Sequence, residues 1–229
     1  MQALFLCAAN AAKRRDPMDC VIFDFDGTIA NTVPLCVEAL RRAVQNLTGI
    51  KPTAAEIEST FGPSEEGTLA AFAPGRTDEG MQIYLGIYRE LHPVLCPAPF
   101  GGLEQVFSFL REKGVKTALV TGKSTPSLAI DLELFGMRDL FCHIETGNPA
   151  LADKPVCIAR TLSRLGVLPR NALYVGDTVS DIFSARESGM RIASAAWAPA
   201  ANAEELARHR PDHLFSSVGA FAAWLKQTI

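Results

Sequence analysis

The chain has 229 residues, 48% hydrophobic and 21% charged, and a formal net charge of −3. That composition argues against intrinsic disorder, and the scattered Lys and Arg residues argue against a nucleic-acid or anionic-membrane surface. The length suits one large domain, or a domain with a sizeable insertion, built on a substantial core.

The N-terminal stretch MQALFLCAANAA is apolar, but no positive residue precedes it, and Lys13, Arg14 and Arg15 follow it. A secretory signal has the opposite order, and the stretch is too short to span a bilayer. Residues 1–17 are read as an extension outside the fold, disordered or upstream of a start at Met18, and the protein as cytoplasmic. The six cysteines (Cys7, Cys20, Cys36, Cys96, Cys142 and Cys157) stand singly, without a CxxC pair or a histidine at zinc spacing. They are expected to be reduced and mostly buried.

From residue 20 onward, apolar runs without in/out alternation predict strands covered on both faces: CVIFDF (20–25), VKTALVT (115–121) and ALYVGD (172–177). RIASAA (191–196) and DHLF (212–215) read as further strands, and FCHIET (141–146) as a weaker one. Helical patterns lie between them, several ending at a glycine: 102–114, 125–136, 155–166 and 179–189, with a last helix near the C-terminus. Strand and helix alternate, which predicts an α/β fold, a doubly wound parallel sheet of Rossmann type.

One segment breaks the alternation. Between Thr32 and Pro97 the patterns are helical only, at 34–47, 53–60, 64–73 and 77–91. Residues 32–98 are therefore read as an inserted all-helical subdomain, and 18–31 with 99–229 as the α/β core. CPAPFGG (96–102), with two prolines and two glycines, reads as the hinge between them.

In an open α/β sheet, ligands bind beyond the carboxyl ends of the strands. The first strand ends in Asp24-Phe25-Asp26-Gly27-Thr28 and the second in Thr121-Gly122-Lys123-Ser124. Lys154 stands before the helix that leads to the strand ending in Gly176-Asp177-Thr178-Val179-Ser180-Asp181. Two like charges ~5 Å apart cost on the order of 3 kcal/mol at an effective dielectric near 20. A cluster of Asp24, Asp26, Asp177 and Asp181 therefore calls for a cation, and an all-oxygen donor set points to Mg²⁺. Thr121, the backbone after it and Lys154 would hold phosphoryl oxygens. Singly, each of these residues has a structural explanation, Asp177 as a helix cap for example; the argument rests on four features at successive strand ends. VTGKST resembles the end of a nucleotide-binding P-loop, but Thr117 occupies the position of that motif's first glycine.

With its DxDGT after an apolar strand and its GDxxxD later, the chain resembles the haloacid dehalogenase-like superfamily, in the subfamily of phosphoglycolate-phosphatase-like hydrolases with a helical cap after the first strand. The resemblance runs from about residue 19 to the end. It implies that Asp24 is the nucleophile that becomes an aspartyl-phosphate, and that Asp26 is the general acid and then the base. It implies Mg²⁺ held by the Asp24 carboxylate, the Asp26 main-chain carbonyl and Asp177, with Asp181 behind them. Thr121, the Gly122 amide and Lys154 would bind the phosphoryl group of a small phosphorylated metabolite.

Asp26 argues against carbon–halogen cleavage and against phosphonatase chemistry, for which Lys51 would be the sole lysine of the insertion. Phosphoryl transfer of the β-phosphoglucomutase type keeps both aspartates and remains an alternative, as does a non-catalytic phosphate-binding module. Gly122 stands where many relatives have Asn, and the run after Lys154 lacks a common second proline. In FGPSEEGTL (61–69), Glu65 or Glu66, with Arg76 or a helix N-terminus near Ser64, would select the leaving group. Alternatively, Ser64 is an N-cap with Glu66 in the first turn, which explains the same residues.

Overall fold

The computed structural model describes residues 18–150 and 153–229. The expectations for residues 1–17 lie outside the described residues. Six strands, β1 (Cys20–Phe23), β2 (Lys116–Val120), β3 (His143–Glu145), β4 (Ala172–Gly176), β5 (Arg191–Ala195) and β6 (His213–Phe215), form one sheet. The order is β3-β2-β1-β4-β5-β6 and every pairing is parallel. This is the expected doubly wound α/β architecture.

β1 is central, with Phe23 in register with Leu119 on one side and Val175 on the other. Its side chains alternate between two cores. Val21 and Phe23 point into a cluster with Phe107 and Leu110 of α5 (Leu103–Glu112) and Phe221 and Leu225 of α10 (Val218–Thr228). Cys20 and Ile22 point into the opposite cluster, with Ile158 and Leu162 of α7 (Lys154–Leu165) and Ile182 of α8 (Val179–Glu187). Burial on both faces explains why the strand runs carry no polar alternation. Strand order reverses at β1, so the loops after β1, β2 and β4 meet at one edge.

Between β1 and α5 lie four helices: α1 (Val33–Thr48), α2 (Ala54–Glu58), α3 (Glu65–Phe72) and α4 (Thr77–Leu95). α1 packs along α4, and α3 packs on both. Local signals start them: Pro34 sits in the first turn of α1, and Thr53 forms a capping box with Glu56 at α2. α4 also packs on α6 (Thr125–Leu134), so the apolar interior of the helical layer is continuous with that of the sheet. The chain returns to the core through residues 96–102, where the Phe100 amide donates to the Ile29 carbonyl at 2.9 Å.

Three elements differ from the sequence reading. α4 continues to Leu95 rather than stopping near 91, although Pro93 lies inside it. A proline in the last turn forfeits only one backbone bond, and buried His92 is anchored by Asp131 at 2.9 Å. α9 (Ala203–Arg208) has no counterpart in the sequence patterns; it is short and starts at an Asn202 cap. Asp177 is not a helix cap, because Thr178 caps α8 through a capping box with Asp181.

The five described cysteines are free thiols, four buried and Cys142 exposed. Among the described residues, no helix is long and apolar enough to cross a membrane.

Phe23 is fully buried, with its ring 5.1 Å from that of Phe107. Phe23→Ala should lower unfolding free energy by about 3–5 kcal/mol in chemical denaturation. Val94→Ala, at a site 77% exposed, should stay within about 0.5 kcal/mol of the parent.

Candidate active site

After β1 the backbone makes one tight turn, in which the amides of Thr28 and Ile29 both approach the Phe25 carbonyl, at 3.1 and 2.8 Å. Gly27 sits in this turn at φ +75°, and a Cβ there would collide with the Asp177 carboxylate. The turn therefore brings the loops after β1 and β4 into contact. Thr28 Oγ1 donates to Asp177 Oδ1 at 3.0 Å, and Trp197 Nε1 donates to the Thr28 carbonyl at 3.0 Å.

Lys154, at the start of α7, reaches across to this point. Its Nζ donates to Asp24 Oδ2 at 2.9 Å and to Asp181 Oδ1 at 2.6 Å. The other Asp181 oxygen accepts from the Thr178 amide and hydroxyl, at 3.0 and 2.7 Å. Asp181 thus caps α8 and orients Lys154 at once. Burial pulls the Lys154 ammonium down, but Asp181 and Asp24 outweigh it and hold it well above the ordinary lysine range.

One ammonium does not offset the acids around it. Burial pushes Asp24 up to about 6 against the pull of Lys154, with Asp181 adding to the rise. Asp177 is driven well above the usual carboxylate range by burial and by the charges of Asp181 and Asp24. Asp24, Asp177 and Asp181 each offer an oxygen within 4.8 Å of the others. Three all-oxygen donors, two buried and one half-buried, sharing a single ammonium, fit a hard divalent cation.

The loop after β2 supplies neutral donors. Thr121 and Gly122 line the same cavity as Asp24 and Lys154. The loop is braced by residue 147, whose amide donates to the Lys123 carbonyl at 2.8 Å. Only glycine fits there, since a Cβ on Gly147 would collide with the Gly122 carbonyl. At Gly122 the reverse holds: a Cβ would have the Gly62 carbonyl oxygen as its nearest neighbour, 3.9 Å away.

Lys123 is the residue that sequence reasoning left without a role. Its side chain is fully buried, with Nζ 3.0 Å from Asp26 Oδ1, 3.8 Å from Glu65 Oε1 and 3.6 Å from Asp131 Oδ2. It also lies 3.1 Å from Cys36 Sγ and over the Tyr88 ring at 4.8 Å. Burial lowers the tendency of this ammonium to stay charged, but Asp26 foremost, then Cys36, Tyr88 and Asp131, raise it well above the ordinary range. Asp131 Oδ1 in turn accepts from Tyr88 at 2.8 Å and lies 2.9 Å from His92 Nε2.

Asp26 therefore does not join the acid cluster through its carboxylate. Oδ1 is held by Lys123 and by the Thr32 hydroxyl, while Oδ2 has no hydrogen-bond partner among the described residues. Thr32 is the N-cap residue of α1, yet its hydroxyl makes no cap bond because Asp26 takes it. The expected four-carboxylate cluster is thus corrected to three, with the fourth acid drawn aside by a lysine.

Of the residues weighed in the helical layer, Glu65 reaches the core. Its carboxylate accepts from the Ser124 amide at 2.6 Å and the Ser127 hydroxyl at 2.5 Å, and Tyr84 donates to it at 3.2 Å. A buried acid from α3 thus sits at the N-terminus of α6, where the helix dipole favours it. Glu66 accepts instead from the Ser64 hydroxyl at 2.5 Å, and Ser64 makes no side-chain cap bond. Arg76 is excluded from the site: it binds Glu79 at 2.7 Å and the Leu47 carbonyl at 2.5 Å. Lys51 does not line the cavity either. That cavity, about 400 Å³, is enclosed by the strand-end loops together with α1 and the loop leading into α3.

Residues 21–195 match the family model described as haloacid dehalogenase-like hydrolase. The chain belongs to the haloacid dehalogenase-like hydrolases. It is 30% identical over 200 residues to pyrophosphatase PpaX of Bacillus pumilus, covering 86% of this chain and 92% of that one. It is 29% identical over 184 residues to a phosphoglycolate phosphatase of Xylella fastidiosa, covering 77% and 80%. Among solved structures, CbbY from Rhodobacter sphaeroides in complex with phosphate superposes with a TM-score of 0.72 at 19% identity, covering 88% and 95%. A predicted phosphoglycolate phosphatase from Haemophilus somnus gives 0.72 at 20% identity, covering 93% and 98%. At these identities the structural likeness speaks to the fold.

In this haloacid dehalogenase-like hydrolase, Lys123 carries the charge balance of three acids that water does not reach freely. Lys123→Met should lower stability by about 3–5 kcal/mol, because it removes the one cation within 4 Å of Asp26, Glu65 and Asp131 among the described residues. Urea denaturation reads this directly; an unchanged midpoint would show that those acids are not held as charges.

Proposed function

We propose that the protein is a Mg²⁺-dependent phosphatase that hydrolyses a small phosphomonoester through an aspartyl-phosphate on Asp24. The observation that carries this reading is the separation of the two acids of the first loop. Asp24 is held by Lys154 at 2.9 Å, beside Asp177 and Asp181, whereas Asp26 is turned to Lys123 with Oδ2 unpartnered among the described residues. Two carboxylates in two environments suit two roles.

The phosphoryl group would rest against Thr121, the Gly122 amide and Lys154. An Asp24 oxygen attacks phosphorus, the P–O bond to the alcohol breaks, and Asp26 gives its proton to the departing oxygen. Asp26 then takes a proton from water as that water attacks the aspartyl-phosphate, and the P–O bond to Asp24 breaks to release phosphate and restore the carboxylate. Mg²⁺, bound by Asp24, Asp177 and the Asp26 carbonyl, would supply neutralisation of phosphoryl charge among the acids. Asp181 would act by holding Lys154.

In this reading, residues 32–98 are a cap and residues 96–102 its hinge, excluding water while Asp24 attacks. The relatives named as phosphatases and pyrophosphatases support the same chemistry; the reading takes a small phosphorylated metabolite as the substrate and the cytoplasm as the place of action.

Phosphate release from phosphomonoesters tests the proposal. Asp24→Asn should abolish turnover, Asp26→Asn should lower kcat by about 10²–10⁴-fold, and EDTA should remove activity that Mg²⁺ restores. Turnover that survives Asp24→Asn would sink the covalent route.

A further inference from the structure

The cavity has two walls of different chemistry. The wall from the strand ends is charged and suits a phosphoryl group. The opposite wall comes from the helical layer. Val33, Cys36 and Leu40 lie three and four residues apart on α1 and so share one face, and Phe61 and Pro63 line the cavity from the loop before α3. Of the hydroxyls on this wall, Ser64 donates to Glu66 at 2.5 Å, and buried Thr68 accepts from Thr60 at 2.8 Å.

Among the described residues, the cations lining the cavity are Lys154 and Lys123. Lys154 belongs to the phosphoryl end. Lys123 has no exposed side-chain surface and is within 4 Å of three carboxylates. The arginines of the helical layer are turned elsewhere: Arg41 and Arg42 to Glu38, Arg76 to Glu79, and Arg89 to Glu133. A second anionic group on a bound substrate would meet apolar side chains and the acids Asp26 and Glu65.

We infer that the leaving group of the substrate is an uncharged alcohol with an apolar face, seated against Val33, Leu40 and Phe61. Phosphoglycolate and pyrophosphate, which carry a second anion, are poor substrates of this site. The inference rests on the phosphatase reading and sharpens it. Gly122 is consistent with it, because the absent side chain leaves the space toward the Gly62 carbonyl open.

Steady-state phosphate release with Mg²⁺ should be compared for butyl phosphate, phosphoethanolamine, phosphoglycolate and pyrophosphate. The expected kcat/KM for butyl phosphate exceeds that of each charged substrate by at least about tenfold. Equal or greater kcat/KM with phosphoglycolate, pyrophosphate or phosphoethanolamine overturns the inference while leaving the phosphatase intact. Release from none of them overturns the phosphatase reading, and this inference falls with it. Phe61→Arg, at a partly exposed position, should raise the phosphoglycolate-to-butyl phosphate ratio by about tenfold, whereas Phe61→Leu should keep it within about threefold. An unmoved ratio in the arginine variant would contradict a leaving group seated on that wall.

Discussion

The whole site depends on keeping several carboxylates together at one edge of a parallel sheet. Four aspartates end strands or begin helices there, a fifth, Asp131, lies in α6, and a sixth acid, Glu65, comes in from the helical layer. Two buried ammonium groups divide them. Lys154 lies between Asp24 and Asp181, and Lys123 lies among Asp26, Glu65 and Asp131. Because successive residues along an extended chain point to opposite sides, two acids that share a side would differ only in depth. The tight turn after Phe25 breaks that relation and sends Asp26 toward α1. One acid is then left among excess negative charge, and the other is tethered by one oxygen.

The same arrangement joins the helical layer to the sheet. Tyr88 and His92 of α4 bind Asp131 of α6, Glu65 of α3 binds the Ser124 amide, and Thr32 at the start of α1 binds Asp26. Each bond runs from the inserted helices to the loop after β1, or to the loop after β2 and the helix α6 that follows it. Buried polar contacts of this kind are costly when half made, so separation of the layers would expose unpaired groups on both sides. The helical layer is thereby restrained at the very loops that carry Asp26, Thr121 and Gly122.

Much of this was legible in the sequence because it depends on period and punctuation. Continuous apolar runs marked the central strands, and glycines marked the helix ends that return to the sheet. The loss of strand signal between residues 32 and 97 matched a stretch where only helices occur. The proposed chemistry was read from residues at strand ends, where the sheet leaves little freedom of placement. Lys123 was not legible for a physical reason. It stands in the same short run as Thr121 and Gly122, and nothing in TGKS distinguishes a lysine that faces solvent from one that turns inward beneath Tyr88. Its partners Glu65 and Asp131 lie 58 residues before and 8 residues after it, so the cluster exists only in three dimensions. Arg76 was misplaced for the converse reason: its neighbour Glu79, one helical turn away, satisfies it locally.

This division between legible and illegible residues follows the division of labour in the site. In the proposed reaction, residues that would handle a phosphoryl group must meet a fixed geometry, and the candidates sit on the rigid edge of the sheet, close to strand ends. The residues proposed to meet the leaving group sit on α1 and on the loop before α3, outside the strand pairings of the sheet. The likeness to a pyrophosphatase and to a phosphoglycolate phosphatase therefore speaks most strongly about the strand ends and least about α1. On that second wall the decisive evidence is local. The arginines of the helical layer are engaged with its own glutamates or with Glu133, and the lysine nearest the cavity is surrounded by acids, so the electrostatics there oppose a second anion whatever the relatives accept.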